Sequence, residues 1–167
     1  MALLPILEYP DPRLKKVASK VTSFTPAIVT LVRDLAETMY AAPGVGLAAT
    51  QVNVHKRVLV IDISENRSDL LVLVNPTILD ARGEVECEEG CLSVPGYYDN
   101  VTRAAEITFS ACNARGEPFQ RTVDGMLAVC VQHEMDHLIG KVFLDYLSPL
   151  KRARLAAKQR KKLRLVG

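Results

Sequence analysis

The sequence contains no tryptophan, and aromatic residues make up 5% of its 167 positions. A core for a chain of this length must then be aliphatic, and a hydrophobic fraction of 49% supplies it. No stretch approaches about 18 uninterrupted apolar residues, which excludes a membrane-spanning helix. The opening Met1-Ala2-Leu3-Leu4-Pro5 lacks the basic region and long apolar run of an export signal. The expected location is therefore cytoplasmic, with no membrane partner. Four cysteines at unrelated spacings, without an export signal, exclude a disulfide framework and point to reduced thiols. Internal repeats and low-complexity segments are absent, so residues 1–167 read as one domain. Histidine is scarce at three residues, glutamate is missing after Glu134, and no acid of either kind follows Asp145.

Two of the three histidines lie in Gln132-His133-Glu134-Met135-Asp136-His137, an H-E-x-x-H motif. A helix is expected from about Asp124 to Ile139, with Asp124 as N-cap and Gly140 as its stop. Residues four apart share a helix face, so His133 and His137 can converge on one ion. Glu134 points about a quarter-turn away, where it can reach a water without becoming a ligand.

Two imidazoles do not hold a metal alone. The longer motif H-E-x-x-H-x-x-G-x-x-H fails, because Phe143 stands where a third histidine belongs. A glutamate from a later helix is excluded by the absence already noted. The third ligand must lie upstream, among His55, Cys87, Cys91, Cys112, Cys130 and the carboxylates. Cys130 to His137 spans about 10 Å of helix rise, too far for metal bonds of about 2.0 to 2.3 Å. Cys91 in Glu88-Glu89-Gly90-Cys91-Leu92-Ser93 is the better candidate, since Gly90 frees the backbone to bring a thiolate and the next N–H together.

Elsewhere Thr25-Pro26 opens a helix with Ile28, Leu31, Val32, Leu35 and Met39 on one stripe, ending near Ala42-Pro43. Strands are expected at 57–63, 70–75, part of 78–87, 105–111 and 118–123. Strands gather before the motif helix instead of alternating with helices. That pattern predicts an α+β fold, with mixed, mainly antiparallel sheets around a central metal-binding helix and a C-terminal helix.

Three separated segments, Gly44-Val45-Gly46-Leu47-Ala48-Ala49-Thr50-Gln51, Glu89-Gly90-Cys91-Leu92-Ser93 and Gln132 to His137, resemble the bacterial peptide deformylases in content and order. Tyr9 to Leu14 and Asp145 to Leu150 extend the resemblance over nearly the whole chain. It implies a metal-dependent hydrolase that removes the formyl group from the N-terminal formyl-methionine of new proteins, giving formate. By that resemblance Cys91, His133 and His137 hold the metal, and Glu134 carries the proton from water to the leaving amine. Gln51 and the Leu92 N–H face the developing oxyanion. Val45, Leu127, Cys130 and the His133 ring line the methionine pocket, while the backbones at Gly46 and Gly90 pair with substrate as an added strand. One thiolate with two imidazoles suits zinc and ferrous iron alike; the resemblance favours Fe(2+), with Zn(2+), Ni(2+) or Co(2+) able to substitute. Tyr98 departs from the pattern, since some members carry Arg there.

Two other readings compete. Cys87 with Cys91, His133 and His137 has the ligand types of a closed structural Cys2His2 zinc site, but Cys87 and Cys91 lie about 13 Å apart along an extended strand. A nucleic-acid-binding module is suggested by the C-terminus, where Lys151, Arg152, Arg154, Lys158, Arg160, Lys161, Lys162 and Arg164 follow the helix start Ser148-Pro149. Aromatic stacking residues are absent there. Since the whole chain carries +2, the part before this segment carries −6, so charge is segregated. Such a run is either a solvated face or, with its cations facing phosphates, a surface that docks on ribosomal RNA where new chains emerge. Deleting residues 151 to 167 is then expected to spare turnover of short peptides.

Overall fold

The computed structural model describes residues 2–166, with side chains from 2 to 158 and at Arg160 and Lys161. Helix α1 spans Pro26–Ala41, with Pro26 at a first position that needs no N–H partner. Thr25 is extended at the N-cap but makes no side-chain cap bond. The stripe at Ile28, Val32, Leu35 and Met39 is buried, as its helical spacing requires.

A short β1 (Gly46–Ala48) leads through a 3-10 turn at Ala49–Val52 to β2 (Val58–Ile61). All four β2 residues are buried. Alternating side chains leave a strand on opposite faces, so Val58 and Val60 join the cluster around α1 while Leu59 and Ile61 join the other core. Strand β3 (Leu71–Arg82) divides the same way, with Leu73 in the second core and Val74 against α1. A continuous apolar run therefore marks a central strand covered on both sides.

The remaining elements are β4 (Val85–Cys91), β5 (Val94–Arg103), β6 (Glu106–Cys112), β7 (Pro118–Asp124), α2 (Gly125–Leu138) and α3 (Pro149–Val166). The main sheet has the order β1-β2-β3-β6-β7, and β4-β5 form a separate pair. Every ladder is antiparallel. Parallel pairing occurs among the described residues only at the isolated bridge Ser19–Lys56, so the sheets are less mixed than expected.

Expected strands at 70–75 and 78–87 merge in part. Strand β3 runs on through Pro76 with two register shifts and breaks at Gly83, whose φ is +67°. Strands β1 and β5 were not expected. The first is three residues long, and β5 contains Pro95, Gly96, Asp99 and Asn100, which intrinsic preference sends to turns.

Helix α2 lays Ala128, Val131 and Leu138 on the main sheet beside Leu59, Ile61, Leu73, Ile107 and Phe109. Asp124 takes the N-cap position without a side-chain cap bond. Gly140 ends the helix with φ +80°, and a Cβ there would collide with the Lys15 carbonyl. A third cluster joins Val94 and Val101 of β5 to Phe143, Leu144 and Leu155. Thus α3 packs beside the β4-β5 pair through Leu155, and Ser148 Oγ accepts from Lys151 N at 3.2 Å to cap it. Lys162 and Arg164 lie outside the residues whose side chains are described. Among the described residues no helix is long and apolar enough to cross a membrane.

Candidate metal and substrate site

Helix α2 presents His133 and His137 to the β4-β5 hairpin and Glu134 to Gly46 of β1, all three buried. Cys91 ends β4, and the donor atoms of Cys91, His133 and His137 lie within 4.8 Å of one another. Cys91 Sγ is 3.3 Å from His137 Nε2. Cys87 pairs with Val101 in the strand ladder and is not one of these donors.

Each imidazole has a distinct environment. His133 Nδ1 sits 2.8 Å from Glu89 Oε1, which leaves Nε2 to face Cys91 and His137. Burial alone would lower the His133 pKa, but the charges of Glu134, Cys91 and Glu89 raise it well above its ordinary value. Burial holds His137 well below its ordinary value, hence neutral, and its Nδ1 has no protein partner. A half-buried thiol with two buried imidazoles at this spacing matches the soft and borderline donors that zinc and ferrous iron accept. The residues present therefore fit a divalent metal.

Glu134 lies beside this group, its Oε2 3.8 Å from His133 Nε2. Its Oε1 is buried without a protein partner. Burial pushes the carboxyl up to about 7, with the charge of His133 opposing. A base poised near neutrality, with one oxygen unengaged, is equipped to pick up and return a proton. Gly46 makes room for it, since a Cβ there would fall 2.5 Å from Glu134 Oε2.

Gln51 reaches the same point from the turn after β1. Its Oε1 accepts from Ala48 N at 2.9 Å, which turns its NH2 toward Ser93 Oγ at 3.0 Å and Cys91 Sγ at 3.5 Å. The amide is thereby pinned with its donor face toward the site.

Two cavities meet at Val45, Gly90, His133 and Glu134. One, of about 700 Å³, is a cleft that also includes Gly46, Gln51, Cys91, Leu92 and Tyr98. The other, of about 570 Å³, runs along α2 past Met126, Val129 and Cys130 to Cys87 on β4. Leu127 lines neither. It packs against the main core, because one residue along a helix turns the side chain by about 100°, and the cavity face is spaced as Met126, Val129, Cys130 and His133. The expectation for Leu127 is corrected to Met126. Burial and then the charges of Glu134 and Glu89 push the Cys130 thiol up to about 12, which leaves it neutral wall material. Gly90 also has a different reason from the one expected. Its φ is not positive, and its missing Cβ leaves space for the Tyr98 ring.

The polar frame behind the ligands was not anticipated. Arg103, buried at the end of β5, clamps Glu89 through Nε at 2.7 Å and Nη2 at 2.8 Å and reaches Asp136 through Nη1 at 2.6 Å. Burial would raise the Glu89 carboxyl, but the Arg103 and His133 contacts hold it at about 2. Gln132 bonds both the N–H and the carbonyl of Ala104, at 3.0 and 2.9 Å. The one available signal was the charged run beside Cys91, but Glu88 and Glu89 adjoin on opposite faces and only Glu89 is buried.

The family model for polypeptide deformylase matches residues 3–153. Peptide deformylase 2 of Nitrosomonas europaea is 58% identical over 164 residues, 98% of this chain and 89% of that one. Peptide deformylase 1 of Burkholderia multivorans is 56% identical over 162 residues, 96% and 90% of the two chains. Among solved structures, a peptide deformylase from Legionella pneumophila superposes with a TM-score of 0.92 at 50% identity, covering 98% of this chain and 97% of that one. One from Ehrlichia chaffeensis in complex with actinonin superposes at 0.93 with 41% identity, covering 97% and 98%.

Proposed function

The chain belongs to the polypeptide deformylase family, and from that membership and the cleft geometry we propose how its residues remove the N-formyl group of nascent proteins. The activity is metal-dependent hydrolysis of the formyl amide of N-terminal formyl-methionine, giving formate. The carrying observation is the convergence of Cys91, His133 and His137 beside an unpartnered, buried Glu134 oxygen.

Cys91, His133 and His137 would hold the ion. When bound, a divalent metal supplies Lewis acidity toward a water and a carbonyl oxygen. Glu134 takes the proton of the attacking water and delivers it to the amine nitrogen as the amide bond breaks. The Gln51 amide and the Leu92 N–H donate to the carbonyl oxygen as charge grows on it, worth about 3 kcal/mol each in a site closed to water. The methionine side chain enters the cavity lined by Val45, Met126, Cys130 and His133, and Gly46 and Gly90 flank the peptide backbone. The native ion in this reading is Fe(2+), supported by the family and not by the donor set, which suits Zn(2+), Ni(2+) or Co(2+) as substitutes.

Glu134→Ala is expected to retain the metal and the fold while losing roughly 100-fold or more of formyl-methionyl peptide hydrolysis. In the same assay the wild type should spare acetyl-methionyl peptides, and Cys87→Ser should keep metal and activity that Cys91→Ser loses. Equal turnover of formyl and acetyl substrates, or metal loss with Cys87→Ser, would sink the reading.

Residues 1–167 act as one catalytic domain in the cytoplasm, where formylated chains emerge, and α3 docks on ribosomal RNA. Support comes from the exposed cations Lys151, Arg154, Lys158, Arg160 and Lys161. Truncation at 151 is a poor test, because it removes Leu155 from the third core cluster and, with it, the buried Ala156. Reversing Lys158, Arg160 and Lys161 to Glu leaves those contacts intact. Ribosome co-sedimentation should fall with each reversal and with added salt, by a slope of about one per phosphate contact, while short-peptide turnover stays level. Salt-insensitive co-sedimentation of the triple variant at wild-type level would rule docking out.

A further inference from the structure

The 3-10 turn at Phe143–Tyr146 touches the candidate metal centre by two separate routes. On one, the Phe143 ring stacks on His133, with centroids 6.2 Å apart and planes 28° off parallel. On the other, Tyr146 O–H donates to Asp136 Oδ2 at 2.7 Å, and that oxygen also takes Arg103 Nη1 at 2.6 Å. Arg103 grips Glu89, and Glu89 meets His133 Nδ1. The Tyr146 ring also lies under the Arg103 guanidinium, 4.9 Å from its centroid. Tyr146 is half-exposed and lines two surface crevices, of about 320 and 230 Å³, whose inner wall is Arg103. Its ring therefore stands between solvent and a guanidinium whose side chain is 4% exposed.

We infer that Tyr146 is a positioning residue for the metal centre, acting through Asp136, Arg103 and Glu89 to fix the tautomer and ring orientation of His133. The inference rests on the reading of Cys91, His133 and His137 as the metal ligands. A histidine ligand binds well only when its second nitrogen is held, and outer partners of this kind shift metal affinity or activity by about 10–100-fold. Glu89 can hold His133 only while Arg103 holds Glu89, and Tyr146 supplies both a hydrogen bond and a cation–π face to that assembly.

The test compares Tyr146→Phe, which keeps the ring and loses the hydroxyl, with Tyr146→Leu, which loses both. Zinc-loaded proteins are challenged with a chromogenic chelator, cobalt-loaded proteins are compared by visible spectrum, and metal-free proteins are melted. Tyr146→Phe should lose zinc several-fold faster, and Tyr146→Leu about 10–100-fold faster. The cobalt bands should shift, kcat should fall with KM unmoved, and metal-free Tyr146→Phe should melt like the wild type. Wild-type retention and spectra in both variants would overturn the inference. So would a drop in metal-free melting of Tyr146→Phe that accounts for the faster loss, or a rise in KM at unchanged kcat. Cys91→Ser serves as the control for loading. A wild type that takes up no ion would overturn the metal reading and this inference with it, whereas normal loading with Tyr146→Phe as tight as wild type overturns this inference alone.

Discussion

The five-stranded sheet and the β4-β5 pair are held by different forces. The large sheet is covered by α1 on one face and α2 on the other, with Leu47, Leu59, Ile61, Leu73, Ile107 and Phe109 fully buried. The small pair buries Val94 and Val101, but its other buried side chains include Glu89, Ser93 and Arg103. Two strands alone are marginal in water, so this pair depends on what it is tied to. Every polar residue of Gln132 to His137 except Glu134 meets it or its end: Gln132 at Ala104 just past β5, His133 at Glu89, Asp136 at Arg103 and His137 at Cys91. Glu134 alone is left for chemistry, and Met135 faces the core. The site is thus a seam, with an apolar slab supplying rigidity on one side and a polar-tethered hairpin supplying the thiol on the other.

The sharpest break of this comparison is Arg103→Leu. It strands Glu89 and Asp136 without their buried cation, and removing one partner of such a network costs about 3–5 kcal/mol. Native-state hydrogen exchange should show amides of β4 and β5 opening ahead of those of β3 and β6, with the metal lost more readily. Uniform acceleration in both sheets would mean that the hairpin is not separately tethered.

Leu73→Ala probes the other side. Leu73 is fully buried in the core under α2, and the deletion should cost about 2–5 kcal/mol depending on how far the cavity collapses. Here both sheets should lose protection together in urea titration and exchange, while zinc affinity of the folded fraction stays at the wild-type level. A loss of affinity equal to that of Arg103→Leu would erase the distinction between slab and hairpin.

The slab was largely legible in the sequence and the hairpin was not, and the reason is physical. Apolar periodicity marked α1, β2, β6, β7 and the motif helix, because burial on a helix or strand leaves a repeat of 3.6 or 2. A hairpin whose interior is an ion pair leaves no such repeat. Nothing in the sequence separates Glu89 and Arg103 from charges that face solvent, and Pro95, Gly96, Asp99 and Asn100 hid β5. Three donors were nominated from residue chemistry and resemblance, and the fold brings them within 4.8 Å. Leu127 was misplaced because neighbouring residues on a helix look alike in sequence yet face different volumes, and only the packing of α2 separates Met126 from it. The role of Asp136 was invisible inside its own motif, since its partners Arg103 and Tyr146 come from elements distant in sequence.

The smallest effect concerns a place where the slab, too, relies on a buried charge. Asp62, just past β2, accepts from Ser64 N at 2.9 Å, Ser64 Oγ at 2.5 Å, Tyr40 O–H at 2.6 Å and Asp69 N at 3.2 Å, which closes the loop to β3 against α1. Burial would raise its carboxyl, but the Ser64 and Tyr40 donors outweigh burial and hold it at about 2, below the ordinary 3.8. A depressed carboxylate stabilises the fold fully above its unfolded pKa and loses that contribution as pH falls toward the folded value. Asp62→Asn removes this contribution at every pH. The difference in urea midpoint between wild type and Asp62→Asn should therefore be widest at about pH 6 and shrink steadily from about pH 4 toward 2. The Leu73→Ala difference, having no titrating group behind it, should stay level over the same range. An Asp62→Asn gap that does not narrow on acidification would show that the carboxylate is not what holds the loop, and that the slab is apolar throughout.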